Sequence, residues 1–341
     1  MRNWILLLAC IINVNFAFSN EHSAQEAEKQ PFNAGDVIIH HVLDAYELHI
    51  MDGFTIPLPV VLYSDNGLDI FMSSAFNHGH DPVHASSGNV YRMDHGHIVE
   101  ESGVQFYDIS ITKNVLGMFI AIALMFWFFI ASARGYVKNK GQAPKGMQAV
   151  MEPLVLFIRD QVAKPSIGEK KYERFMPFLL SVFFFILICN FLGLIPFLGG
   201  MNVTGNIAVT LVLALFTFVI TLKSANKNYW MHIVAPPGVP LWLLPLMIPI
   251  EIIGVISKPI VLMLRLFANI TAGHIVLLSF TCLIFIFAEM NGTGAGLGVS
   301  VVSVLFSVFM NTLELLVAFL QAYVFTLLSA LYFGQAVEEH H

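Results

Sequence analysis

Beyond residue 113 the chain is a succession of apolar blocks. Val115 to Ala133, Phe175 to Phe197, Asn206 to Leu222, Leu241 to Phe287 and Val299 to Phe333 are nearly free of charge. A bilayer core about 30 Å thick is crossed by about 20 helical residues, so each of the first three blocks is predicted to span a membrane once. As helices the fourth would measure about 70 Å and the fifth about 50 Å. Each is therefore either two spans with a buried break, which Pro245, Pro249 and Pro259 permit in the fourth, or one helix lying steeply tilted. The pattern leaves both open.

Residues 20 to 112 have no such block. "IPLPVVLYS", "GLDIFMSS" and "VQFYDISI" alternate like short strands between turn residues, and "AGDVIIHHVLDAYELHI" is compatible with a short helix. A small domain is expected here. Ahead of it, Arg2, the apolar run Trp4 to Val14 and the small residues Ala17 and Ser19 have the form of a signal peptide cut after Ser19, which would export the domain. Between the first two apolar blocks lies a basic stretch containing Arg134, Lys138, Lys140, Lys145, Arg159, Lys164, Lys170, Lys171 and Arg174. The positive-inside rule puts that stretch in the cytoplasm. Within it Val150, Leu154, Phe157, Ile158 and Val162 recur at helical spacing, as in an amphipathic helix lying on the membrane or on a partner.

Composition strengthens the membrane reading: 57% of the 341 residues are hydrophobic and 12% charged, against about 25% charged in soluble domains. The net charge of −6 argues against nucleic acid as a partner. Cys189 and Cys282 sit in apolar runs and suggest no disulfide framework. His78, His80, His84, His95 and His97 fit no closed zinc pattern, so no metal or other cofactor is expected. "NGTGAGLG", at 291–298, fails the dinucleotide fingerprint because Leu297 stands where the third glycine is required. It is expected to be a flexible turn.

The polar residues inside the apolar blocks carry the candidate chemistry. Arg265 remains charged at any working pH, and a charge at the bilayer centre costs about 2.5–3.5 kcal/mol even on lenient scales. Glu251, Lys258 and Arg265 fall seven apart and share a helix face, and Asn269 follows one turn later. His274, nine residues past Arg265, points to the opposite side. On the last block Ser300, Ser303, Ser307, Asn311, Glu314 and Gln321 form a narrow stripe. Helix packing accounts for its small members, whereas Glu314 marks an ion pathway or a partner. The Asn206, Thr210, Thr217 and Thr221 cluster reads as packing. A proton-coupled transporter would show two related halves, and no internal repeat is found. A flagellar-type stator channel would need a mid-span aspartate, which the blocks lack.

"ISKPIVLMLRLFANITAGH" and "LVAFLQAYVFTLLSALYF" resemble subunit a of the F-type ATP synthases, as do "FFILICNFLGLIPF", around Asn190, Gly193 and Pro196, and "FIRDQVAKPSIG". The likeness covers about residues 113 to 337. It implies an all-α polytopic protein with five crossings, each overlong block being one tilted span, and a cytoplasmic tail at 338–341. It further implies a stator conducting protons through two offset half-channels to a ring of small two-helix subunits. Peripheral-stalk b subunits would be further partners, with the catalytic head contacted indirectly and no nucleotide-hydrolysing site in this chain. The family's arginine falls on Arg265, its asparagine on Asn269 and its late glutamine on Gln321. Asn269, His274, Glu314 and Gln321 would line the outer channel, and Glu251, Ser257 and Lys258 would lie near the inner exit. Lys258 either joins that exit or merely snorkels or pairs with Glu251. Two features depart from the family pattern. Many bacterial members carry glutamate where this chain has His274 and histidine where it has Glu314, and the N-terminal domain is longer than usual.

Overall fold

The computed structural model describes residues 33–51, 54–79, 81–94, 96–195, 200–234 and 240–338, so the signal-peptide expectation lies outside the described residues. The described residues form two compact units. One comprises the chain up to Met118 with Phe191–Val203 and Thr271–Leu316; the other comprises Phe119–Asn190, Thr204–Ile270 and the chain from Val317 on.

The N-terminal part of the first unit is mainly β-structure. Helix α1 (Ala34–Val42) is followed by strands β1 (Glu47–Met51), β2 (Phe54–Pro57), β3 (Pro59–Ser64), β4 (Gly67–Met72), β5 (Val83–His84), β6 (Val90–Asp94), β7 (His97–Glu100) and β8 (Phe106–Asp108). They pair antiparallel as β1-β2, β4-β3-β8 and β5-β6-β7. The stretch expected as one short helix is thus split at Leu43, where the backbone turns extended. Asp44 is recruited elsewhere: its carboxylate accepts the Thr112 hydroxyl at 2.7 Å and the Asn114 N–H at 3.0 Å. Val60, Leu62, Phe76 and Tyr91 are wholly buried at the centre of these sheets.

Asp69 is buried among them and is held by donors. Its Oδ1 accepts Ser86 Oγ at 3.2 Å and the Ser87 N–H at 3.1 Å, and its Oδ2 accepts the Tyr91 hydroxyl at 3.1 Å and the Ser87 hydroxyl. Burial alone would raise this carboxyl, but the Ser87, Tyr91 and Ser86 hydrogen bonds outweigh it and hold Asp69 below the usual range.

Among the described residues five helices are long and apolar enough to cross a membrane. They are α2 (Lys113–Lys138), α5 (Tyr172–Gly193), α6 (Ile207–Ser224), α8 (Leu244–Asn291) and α9 (Thr293–Val337). Shorter pieces are α3 (Met147–Phe157), a π-helical stretch (Ile158–Ala163), α4 (Lys164–Ile167) and α7 (Lys227–Val234). Each overlong block is one continuous helix, and Pro249 and Pro259 are carried inside α8 without a break. At 48 and 45 residues, they reach about 70 Å each, more than twice the hydrocarbon thickness.

The expected flexible turn shrinks to Gly292, at φ +83°, and α9 starts at the next residue. The reason is close packing just beyond it: a Cβ on Gly296 would stand 2.6 Å from that of Ala288. Of the glycines in this stretch, Gly296 serves a tight helix crossing, while an added Cβ on Gly294 or Gly298 would meet nothing within 4 Å.

In the second unit the amphipathic segment packs against the chain's own helices. Met151, Ile158, Val162 and Ala163 are buried with Phe175, Leu179 and Phe183 of α5. Val150, expected on the apolar face, is 60% exposed, because the buried stripe runs one residue later, through Met151. Asp160 lies off that stripe, paired with Arg159 and Lys164 at 2.9 Å. On α6, Thr210, Ala214, Thr217 and Thr221 are buried, so the polar cluster is a packing face. Lipid offers no hydrophobic drive between helices, and small residues allow the close approach on which dispersion depends.

Candidate functional site

The sequence-predicted polar residues gather in three places. In the second unit, Gln321 of α9 is 5% exposed and bridges to α8. Its Nε2 donates to the backbone carbonyl of Arg265, while its Oε1 accepts from Asn269 Nδ2 at 3.1 Å. Both amide groups are thereby partnered, and one side chain ties α9 to two consecutive turns of α8. Leu262, Leu266 and Ile270 form the buried stripe of α8 here, and Arg265 and Asn269 are exposed. Among the described residues no carboxylate lies within ion-pair distance of the Arg265 guanidinium.

Asn190, at the end of α5, fixes the same part of α9. Its Nδ2 donates to the Ala318 carbonyl at 3.0 Å and its Oδ1 accepts the Thr204 hydroxyl at 2.6 Å, all buried. The sequence motif around Asn190 therefore has a positioning task one turn before Gln321. Pro196 lies outside the described residues.

In the first unit, His274 of α8 meets Glu314 of α9, with Nδ1 3.3 Å from Oε1. Glu314 is 6% exposed. The contact is of ion-pair length, and Glu314 Oε1 accepts no hydrogen bond among the described residues. A glycine makes room: a Cβ on Gly273 would be 3.1 Å from Glu314 Oε1, whereas one on Gly193 would sit at an ordinary 3.8 Å from His274 Nε2 and 3.2 Å from the Met201 carbonyl oxygen. Further along the stripe Ser303 and Ser307 are buried.

The third place belongs to the second unit. A cavity of about 350 Å³ is lined by Asn228, Tyr229, His232, Glu251, Lys258, Gln335 and Glu338, among others. At about 30 Å³ per water it has room for roughly ten. Lys258 Nζ donates to Gln335 Oε1 at 2.8 Å and stands 5.2 and 5.7 Å from the ring centres of Tyr332 and Tyr229. Glu251 and Lys258 thus share a polar cavity, and the lysine's hydrogen-bond partner there is Gln335. Ser257 is not in that lining; its hydroxyl donates to the Gly254 carbonyl of its own helix at 2.8 Å. His232, Gln335 and Glu338 escaped the sequence reading because only folding brings α7 and the end of α9 to Lys258.

Comparison with known proteins supplies the family. Residues 115–334 match the profile of the ATP synthase A chain, and residues 37–115 match a domain of unknown function, DUF8433. The chain is 48% identical over 242 residues to ATP synthase subunit a of Chloroherpeton thalassium, covering 69% of each chain. It is 43% identical over 324 residues to ATP synthase subunit a 2 of Chlorobaculum tepidum, covering 93% of this chain and 77% of that one. With subunit a of an Anaeromyxobacter species it shares 37% over 335 residues, or 94% and 75% of the two chains. With its five apolar helices, the chain belongs to the subunit a family, the polytopic proton-translocating component of the ATP synthase membrane sector.

Proposed function

We propose that this chain is the stator against which a ring of small two-helix subunits turns, and that Arg265 separates two offset proton half-channels. The observation that carries this reading is the Gln321 bridge: it grips the backbone of Arg265 and leaves the guanidinium exposed. A fixed, permanently charged cation so presented would attract a deprotonated ring carboxylate and favour its release of a proton. It would also stop protons passing directly from one channel to the other, having essentially no neutral form.

On this reading Asn269, His274, Glu314 and Gln321 serve the outer channel. Glu251 and Lys258 serve the inner one, whose exit is the cavity shared with His232, Gln335 and Glu338. Ser257, bonded to its own helix, stays only near it. Each charge moved gains about 2.3 kcal/mol per 100 mV, so several transfers must be summed by rotation. The chain would bind no nucleotide of its own; its partners would be the ring, peripheral-stalk b subunits and, through them, the catalytic head. Residues 1–19 would be removed as a signal, 20–112 exported, 113–337 embedded and 338–341 cytoplasmic.

The test is Arg265→Ala in the reconstituted complex. ATP synthesis driven by a proton gradient should fall to background while the complex still assembles. A near-normal rate would overturn the stator reading.

A further inference from the structure

Strand alternation gives the β4-β3-β8 sheet two unlike faces. Val60, Leu62 and Asp69 point into the protein, and their neighbours point out. The outward set includes Leu68, Ile70 and Met72 on β4, Tyr63 on β3, and Tyr107 on β8 with Ile109 after it, from 45 to 74% exposed. The strand register brings them together: Tyr63 lies between Leu68 and Tyr107, and the Ile109 N–H bonds the carbonyl of Val61, the register partner of Ile70. They form an uncharged patch whose backbone positions span about 14 by 10 Å. Contiguous apolar patches of this kind mark contact with a protein or a membrane.

Two observations favour the membrane. The first is continuity. Beyond β8 the pairing runs on through the Ile109 and Ile111 N–H groups, and α2, an apolar helix of membrane-spanning length, begins at Lys113. The junction is locked, since Asp44 accepts from Thr112 and Asn114 and the Lys113 N–H bonds the Ala45 carbonyl at 2.8 Å. The patch is therefore held within a few residues of the point where the chain enters the bilayer. The second is make-up: the patch combines aliphatic side chains with two tyrosines. Tyr63 and Tyr107 suit the depth, with apolar rings and a hydroxyl for the headgroup layer.

We propose that this sheet face lies in the headgroup and upper acyl layer of the leaflet at the N-terminal end of α2, anchoring the β-structure on the lipid surface. The proposal rests only on α2 spanning the membrane, so it stands or falls separately from the ion path.

The experiment uses the full-length chain in its synthase complex, reconstituted into phosphatidylethanolamine–phosphatidylglycerol vesicles. Ile70→Cys is labelled with a polarity-sensitive thiol fluorophore, with Glu101→Cys, at an exposed turn past β7, as reference. The described native thiols, Cys189 and Cys282, are buried, and the unsubstituted chain supplies the background. Ile109→Cys repeats the measurement on β8 should Ile70→Cys not fold. The lipid reading expects blue-shifted emission at Ile70, quenched by phospholipid spin-labelled near its glycerol end, with the Glu101 label water-like and unquenched. Water-like emission at both Ile70 and Ile109 would overturn it. So would blue-shifted emission that the spin-labelled lipid leaves unquenched, since protein would then cover the face.

Discussion

At the scale of single residues, the notable pair is His274 and Glu314. The family resemblance implies that glutamate and histidine are exchanged here relative to many bacterial members, and the two side chains stand 3.3 Å apart. An exchange that keeps both residue types suggests that the pair is what proton transfer needs. Either single replacement should then fail: His274→Glu sets two carboxylates against each other, and Glu314→His leaves two imidazoles without a carboxylate. Each should lower proton-driven ATP synthesis about a hundredfold, the scale of a lost acid–base group. The combined exchange should recover part of that loss. Single effects that merely multiply would show that the residues act independently. Legibility at this scale depends on chemistry. Arg265 and Glu314 announced themselves as charges that a bilayer penalises. Gln335 and Tyr332 did not, because an amide or phenol near a helix end is unremarkable until Lys258 is found against it.

At the scale of elements, small residues join α9 to its neighbours beside the large side chains of the core. Ala318, Ala322, Ala330 and Ala336 on α9 are all buried, and backbone meets backbone where Gly334 crosses α4. A Cβ there would come 1.9 Å from the Ser166 carbonyl oxygen. Gly334→Ala must push α9 and α4 apart, and overpacking of this kind costs about 1–3 kcal/mol. Gly298→Ala, on the same helix with nothing within 4 Å of the new methyl, should instead be neutral or stabilising by up to about 1 kcal/mol. Thermal unfolding of the detergent-solubilised chain should show opposite or clearly separated shifts; equal midpoints would mean that the crossing is not held this closely. The lengths of α8 and α9 were legible and their continuity was not. Proline permits a break without compelling one, and the deciding contacts are tertiary. Similarly, the amphipathic segment advertised an apolar stripe without saying whether lipid, a partner or the chain's own α5 would cover it.

For the whole molecule, five crossings, one for each long apolar helix among the described residues, would put the two ends of the membrane domain on opposite sides. The charge pattern is the ground for proposing an orientation. After α2 come Lys138, Lys140 and Lys145, and Lys223 and Lys227 lie at the end of α6 and the start of α7, whereas the segment Leu198 to Asn206 between α5 and α6 carries no charge. Alternate connections are thus basic and neutral, as expected if the basic ones stay in the cytoplasm. The β-structure would then lie outside and the C-terminal end of α9 inside. Thiol labelling checks this without reference to ion transport. Glu101→Cys should react with a membrane-impermeant maleimide added to spheroplasts, and Lys140→Cys only in inverted vesicles; both positions are exposed in the fold. If Lys140→Cys were the one labelled from outside, the orientation would be reversed, and the outer and inner channel assignments would exchange while the Gln321 bridge and the His274–Glu314 pair kept their geometry.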